Sequence, residues 1–166
     1  MNSPFIAGYF LDFNELLSMY HIVRYDIIIS NAMNDQKTIL IIDDEAAFRE
    51  IFSTKLASAG YHVETAAGGN EGIAKVKELK PDLVLLDEVM PNMSGGEVLT
   101  KLRGDSSTCF TKIIFLTNFG DPRDGGIDER IARKNGADGY IRKTDDLSKL
   151  VVLVEDCVNK CRPAAA

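Results

Sequence analysis

Most of the short apolar runs in this chain end in a residue able to do chemistry. Asp43 and Asp44 follow the run ILII at 39–42, Asp87 and Glu88 follow LVLL at 83–86, and Thr117 and Asn118 follow IIFL at 113–116. Lys143 comes just after a weaker run at 139–141. A further weak run, 61–66, leads into Ala67-Gly68-Gly69 and offers nothing reactive. Asp43, Asp44 and Asp87 gathered in a partly dry pocket would repel one another and their pKa values would rise. A divalent cation relieves that repulsion, and hard oxygen ligands with open water positions suit Mg²⁺. An ammonium at Lys143 and a hydroxyl at Thr117 are poor metal ligands but suit the oxygens of a phosphoryl group. Metal, ammonium and hydroxyl around one carboxylate would make a phosphoryl-transfer site with an aspartyl nucleophile.

Such a gathering requires the runs to share a sheet. ILII and LVLL do not alternate apolar with polar residues, so both of their faces should be buried, as in central parallel strands. Helical periodicity lies between the runs: Phe48, Ile51, Phe52 and Leu56; Ile73 and Val76; Val98, Leu99 and Leu102; Ile127 and Ile131; and Leu147, Leu150, Val151, Val154 and Val158. Five strands alternating with five helices read as a doubly wound α/β domain. In such sheets sites form beyond the carboxyl ends of the strands, where the reactive residues stand here.

The chain has 166 residues, enough for one domain with a sizeable core. Apolar residues are 45% and charged residues 27%, an ordinary globular composition. A formal net charge of -6 argues against a generic nucleic-acid grip, which needs a basic face. Cys109, Cys157 and Cys161 are too few for a disulfide scaffold and fit a reducing, cytoplasmic setting. Cys157 and Cys161 have no neighbouring ligand for a zinc site, and His21 and His62 are isolated. Residues 1–36 differ in texture: they hold six of the thirteen Phe and Tyr residues and no Lys. Phe13, Leu16, Leu17 and Tyr20 fall on one face of a helix, which reads as a partner-binding element or, with Met33 as the natural start, as an upstream extension. Asp12, Glu15, Arg24 and Asp26 interrupt the stretch too often for a membrane span. The expected organisation is an extension at 1–36, a domain at 37–161 and a tail at 162–166.

Four segments, ILIIDDE (39–45), LVLLDEVMPNMSGGE (83–97), IIFLTN (113–118) and GADGYIRK (136–143), resemble the receiver domain of response regulators in two-component systems, over residues 38–160. With no effector domain after Cys161, the chain is similar to the stand-alone, chemotaxis-type members. The resemblance implies a flavodoxin-like strand order of 2-1-3-4-5. It implies Asp87 as phosphoacceptor and an Mg²⁺ site from Asp43, Asp44, Asp87 and the backbone carbonyl of Val89. Lys143 would hold a phosphoryl oxygen, Thr117 would swing toward the phosphoryl group, Tyr140 would rotate inward, and Glu88 and Asn118 would border the pocket. The donor would be a phosphohistidine on a sensor kinase or phosphotransfer protein, and small donors such as acetyl phosphate often serve. The target would be a downstream protein engaged through residues 125–160, with homodimerisation on activation a further option. Neither direct nucleic-acid binding nor membrane insertion is expected, and the only catalysis would be the protein's own phosphoryl transfer and hydrolysis.

Several residues depart from the family pattern. Thr144 stands where a proline, joined through a cis bond, usually follows the lysine; a cis bond to a non-proline residue costs about 3–4 kcal/mol, so a trans bond or a reshaped loop is expected. Asn118 replaces a residue that is usually small. The stretch 118–126 is longer and richer in glycine than usual, and is expected to be mobile before phosphorylation. Val89 cannot orient a hydrolytic water, so slow self-dephosphorylation is expected. Its apolar side chain also argues against an Mg²⁺-dependent aspartyl phosphatase, which would carry a second Asp there. A phosphorylation-independent interaction module with the same fold is the alternative. Gly68-Gly69-Asn70-Glu71-Gly72 lacks the pattern of a phosphate loop and reads as a turn entering the second helix. Acidic residues after the first strand disfavour a flavin phosphate.

Overall fold

The computed structural model describes residues 36–117, 133–143 and 146–160. The chain divides into two compact units, Met1–Gln36 and Lys37–Ala166, and all described residues except Gln36 belong to the second. The helical face at Phe13–Tyr20, Asn118 with the stretch 118–126, the helix expected around Ile127 and Ile131, Thr144 and Cys161 lie outside the described residues.

The apolar runs form β1 (Thr38–Ile42), β2 (His62–Ala66), β3 (Leu83–Asp87), β4 (Ile113–Thr117) and β5 (Gly139–Arg142). They make one sheet of order β2-β1-β3-β4-β5, parallel at every pairing. The doubly wound, flavodoxin-like expectation holds. β3 and β4 are buried at every position, as their unbroken apolar runs require. The order reverses beside β1, so the carboxyl ends of β1 and β3 flank the point where such sheets bind ligands.

Helices α1 (Ala46–Ser58), α2 (Gly69–Leu79), α3 (Gly95–Gly104) and α4 (Leu147–Asn159) cover the sheet. Side chains alternate across a strand, and the core divides accordingly. One layer joins Leu40, Ile42, Val84, Leu86, Ile113 and Phe115 to α2 and α3 through Val76, Val98, Leu99 and Leu102. The other joins Ile39, Ile41, Leu83, Leu85, Ile114, Leu116 and Ile141 to α1 and α4 through Phe52, Leu56, Leu150 and Val154. No helix among the described residues is long and apolar enough to cross a membrane.

Two glycine positions bring backbone unusually close. A Cβ on Gly72 would stand 2.4 Å from Ile42 Cδ1. Gly69 and Gly72 therefore lie in the first turns of α2 and seat that helix on β1; the segment is more helix than the turn expected from its glycines. On Gly95 a Cβ would stand 2.3 Å from the carbonyl oxygen of Asp87 and 2.9 Å from Phe115. Gly95 donates its N–H to Glu88 O at 2.9 Å, folding the 88–94 loop back onto the end of β3. Its role is close approach at the first residue of α3. Ser94 completes the anchor. Its Oγ accepts from Glu97 N while the Glu97 carboxylate accepts from Ser94 N, a reciprocal cap worth about 1 kcal/mol.

Gly95→Ala is expected to destabilise the domain by about 1–3 kcal/mol, because rigid backbone must move to admit the methyl group. Gly104→Ala, which meets nothing within 4 Å, should be neutral or stabilise by up to about 1 kcal/mol. Urea unfolding of the two variants beside the wild type checks both signs.

Candidate functional site

Register brings the charged residues together. Ile42 pairs with Leu86, so Asp43 and Asp87 emerge side by side from adjacent strand ends. Alternation puts both on the face of Ile41 and Leu85, the layer under α1 and α4. Two strands away, Lys143 stands two residues after Ile141 of that same layer. Three charged side chains thus cap three columns of apolar ones. Lys143 also donates its backbone N–H to Thr117 O at 2.7 Å, which ties β5 to the end of β4.

The Lys143 ammonium lies 2.7 Å from Asp43 Oδ2, 3.1 Å from Asp87 Oδ2 and 3.4 Å from Glu45 Oε1. The Lys143 and Asp43 side chains are fully buried and that of Asp87 is 5% exposed, whereas that of Glu45 is 48% exposed. The other oxygen of Asp43, Oδ1, accepts the N–H of Glu45 at 2.8 Å, and Arg49 Nη1 donates to Asp43 O at 2.7 Å. Asp43 therefore shapes the entry to α1 and faces the pocket at once.

Asp43, Asp44 and Asp87 each offer a carboxylate oxygen, all within 4.8 Å of one another. Oxygens across an octahedral Mg²⁺ shell are roughly 4.2 Å apart, twice the usual bond length. Asp43 Oδ2 is buried and makes no aligned hydrogen bond among the described residues, only the ion pair with Lys143. An all-oxygen set of three carboxylates fits the chemistry of a hard divalent cation. Asp44 opens onto a groove lined by Gly68, Gly69, Pro91 and Met93, which leaves room for water or a phosphoryl group.

Thr117 is buried one step past Leu116, the register partner of Asp87. Tyr140 is half-buried and packs on the opposite layer, with Phe115. Glu88 is buried, its N–H bonded to Leu116 O at 3.1 Å. The side chain of Val89 is 58% exposed. Sequence reasoning missed Glu45, Arg49 and Phe48 as neighbours of the charged group. Glu45 is the N-cap of α1 and Phe48 and Arg49 lie on its first turn, directly after Asp43-Asp44, and that adjacency was the available signal.

Burial pushes the Asp87 carboxyl up to about 6; Lys143 pulls it down and Asp43 adds to the rise, without overturning the effect of burial. Burial alone would lower the Lys143 ammonium, but its close pairing with Asp43 and the charge of Asp87 outweigh this and raise it. The fold therefore holds the Asp87 proton more tightly than the unfolded chain does. Stability from this group is present below the unfolded value near 3.8 and is lost as pH rises through about 6. In metal-free buffer, Asp87→Asn should be more stable than the wild type at pH 7.5, by on the order of 1–3 kcal/mol. The difference should shrink as pH falls through 6 and vanish below about 4. Urea unfolding across pH 3.5–8 tests the sign.

Comparisons with known proteins agree with this geometry. Residues 39–155 match the family described as response regulator receiver domain. Among curated proteins, the DNA-binding dual master transcriptional regulator RpaA of Synechocystis is 36% identical over 118 residues, covering 70% of this chain and 46% of that protein. The phosphate regulon transcriptional regulatory protein PhoB of Pseudomonas aeruginosa is 37% identical over 127 residues, covering 76% of this chain and 54% of that protein. The chain thus spans about half the length of the curated relatives it matches. Among solved structures, the chemotaxis response regulator CheY4 of Vibrio cholerae is 31% identical with a TM-score of 0.66, covering 74% of this chain and 98% of that one. A CheY-like receiver domain protein from Methanospirillum hungatei is 30% identical with the same TM-score of 0.66, covering 75% of this chain and 95% of that one. The relatives include both longer transcriptional regulators and a chemotaxis protein, so the similarity carries the domain and not the stand-alone organisation. A parallel sheet of order 2-1-3-4-5 with paired aspartates, a third aspartate and a lysine at its carboxyl edge, together with a family match over most of its length, makes this chain a member of the response regulator receiver domain family.

Proposed function

We propose that the domain is a phosphorylation-driven switch in which Asp87 takes a phosphoryl group from a phosphohistidine. The observation that supports this most is the burial of Asp87 between Asp43 and Lys143 at the carboxyl edge of the sheet. An Asp87 oxygen attacks phosphorus, the P–N bond to the donor imidazole breaks, and its electron pair returns to the nitrogen. Asp43, Asp44, Asp87 and the Val89 carbonyl would hold Mg²⁺, which neutralises phosphoryl charge when bound. Lys143 meets one phosphoryl oxygen and Thr117 another, and the preference of the phosphorylated state for those contacts shifts the balance of conformations. Tyr140 responds behind Thr117, and Glu88 and Asn118 border the pocket. The protein turns over no external substrate beyond its own phosphorylation and dephosphorylation.

On this reading the partners are a sensor histidine kinase or phosphotransfer protein and a downstream protein target, in the cytoplasm. Of the two organisations among the relatives we propose the stand-alone, chemotaxis-type one. A receiver nearly fills CheY4, and here one layered core closes over the whole described domain. An immunoblot of the source cells should give a band near 18.3 kDa; a band about twice as large would favour the organisation of the transcriptional regulators.

Incubation with acetyl phosphate should add one phosphoryl group by intact mass, with Mg²⁺ and not with EDTA. Asp87→Asn should abolish the gain, and Lys143→Ala should slow it on the order of 100-fold or more through loss of a charge at the reacting phosphoryl group. If neither acetyl phosphate nor a phosphorylated kinase labels the wild type, the phosphorylation-independent module takes its place. Once formed, the aspartyl phosphate should last minutes or longer, because exposed Val89 can position no water; Val89→Gln should shorten its lifetime.

A further inference from the structure

The Lys143 ammonium has a contact that is not a carboxylate. It lies 4.5 Å from the centroid of the Phe48 ring. Phe48 stacks on Phe52, with centroids 5.8 Å apart and planes 18° from parallel. Phe52 is itself buried in the layer between α1 and the sheet. The ring under Lys143 therefore rests on the core and is not free to drift. A cation over a ring face is attracted by the ring quadrupole, most strongly when water is excluded, and this side chain is fully buried.

The contacts of Lys143 differ in what becomes of them during phosphoryl transfer. Asp43 and Asp87 meet it through oxygens that the proposed chemistry assigns to a divalent cation and to phosphorus. Glu45 meets it at 3.4 Å from a half-exposed position, where water weakens the attraction. The ring face of Phe48 offers no oxygen and has no part in binding metal or phosphoryl group. It is the contact, on a partly buried ring, that persists when the aspartates are recruited.

Resting on the phosphoacceptor reading above, we propose that Phe48 is a positioning residue for phosphoryl transfer, its ring holding the Lys143 ammonium at the pocket while Asp43 and Asp87 turn to metal and phosphorus. The residue touches no reacting atom and acts through Lys143. Leu at this position keeps the apolar volume and removes the quadrupole; Tyr keeps the ring.

The test measures the rate of phosphoryl uptake from acetyl phosphate with Mg²⁺ for Phe48→Leu and Phe48→Tyr, each with Lys143 and with Lys143→Ala. Phe48→Leu is expected to slow uptake about fivefold beside Lys143, the order of a desolvated cation–ring contact, and Phe48→Tyr to stay within about twofold of the wild type. In the Lys143→Ala background Phe48→Leu should cause no further loss. A second readout needs no metal: in urea unfolding without Mg²⁺, Phe48→Leu and Lys143→Ala should destabilise by less together than the sum of their separate effects. An equal loss of rate in both backgrounds would mark Phe48 as scaffold and overturn the proposal, as would an unchanged rate in Phe48→Leu. A wild type that takes up no phosphoryl group would overturn the transfer reading and the positioning role with it, while coupling in the metal-free unfolding would still report the contact itself.

Discussion

The Lys143 ammonium, buried between Asp43 and Asp87, is the interaction around which the carboxyl edge of this sheet is organised. Parallel pairing in the register Ile42 to Leu86 forces the two aspartates side by side. Adjacent buried carboxylates raise each other's energy, and the low dielectric around them magnifies the effect. Burial is what pushes the Asp87 carboxyl up to about 6; Lys143 pulls it down by more than Asp43 raises it, and one ammonium faces two buried carboxylates. The fold thus carries a local excess of negative charge that its own residues do not neutralise. Such an excess is costly to stability and useful for attracting a cation. It persists because fully buried β1 and β3 residues behind it, each worth about 1.5–3 kcal/mol of apolar burial, leave the strand ends no room to separate.

The loops that carry the site are held by backbone contact more than by side-chain packing. The segment after Asp87 returns through Glu88 O to Gly95 N and is pinned by the Ser94–Glu97 cap. Asn92 within it takes a positive φ of 67°, a conformation Asn tolerates better than most residues. Gly95 lies so near the Asp87 carbonyl that the start of α3 and the end of β3 cannot shift independently. On the opposite side, Arg103 at the far end of α3 donates to Gly136 O at 2.7 Å and to Thr111 O at 2.8 Å, tying the approaches to β4 and β5 to the same helix. α3 therefore spans both the loop after the phosphoacceptor candidate and the turn leading to the strand of Lys143.

Much of this was legible in the sequence because burial on two faces leaves unbroken apolar runs. LVLL and IIFL announced central strands, and the reactive residue after each run announced the carboxyl edge. Contact and context were less legible. Gly68-Gly69-Asn70-Glu71-Gly72 reads as a turn by composition, yet Gly69 and Gly72 sit in a helix because Ile42 and Val98 leave no space for a Cβ. Gly95 likewise serves a close approach, to Asp87 O, that its neighbours in sequence do not announce. Both cases place glycine for tertiary reasons that no local window contains. Phe48 has the helical spacing of a core residue and does rest on Phe52, but the cation above it comes from nearly a hundred residues further along the chain.

Asp43 follows β1 and Asp87 ends β3, the paired central strands, and α1 begins two residues after Asp44, so Asp87 and the acidic pair are anchored on both sides. Thr117 and Lys143 stand on β4 and β5, toward the other edge, linked to each other by the Lys143 N–H to Thr117 O bond. Lys143 also reaches Asp43 at 2.7 Å, so the site ties the end of β5 to the end of β1 as well as to β4. Tyr140 packs half-buried against Phe115, next to the Ile141 column that leads to Lys143. The reactive residues therefore stand at the ends of β1, β3, β4 and β5 and leave β2 outside the site. That asymmetry follows from strand order alone: the edge strand β2 contributes no reactive side chain, while the strands on the other side of β1 contribute the rest of the site.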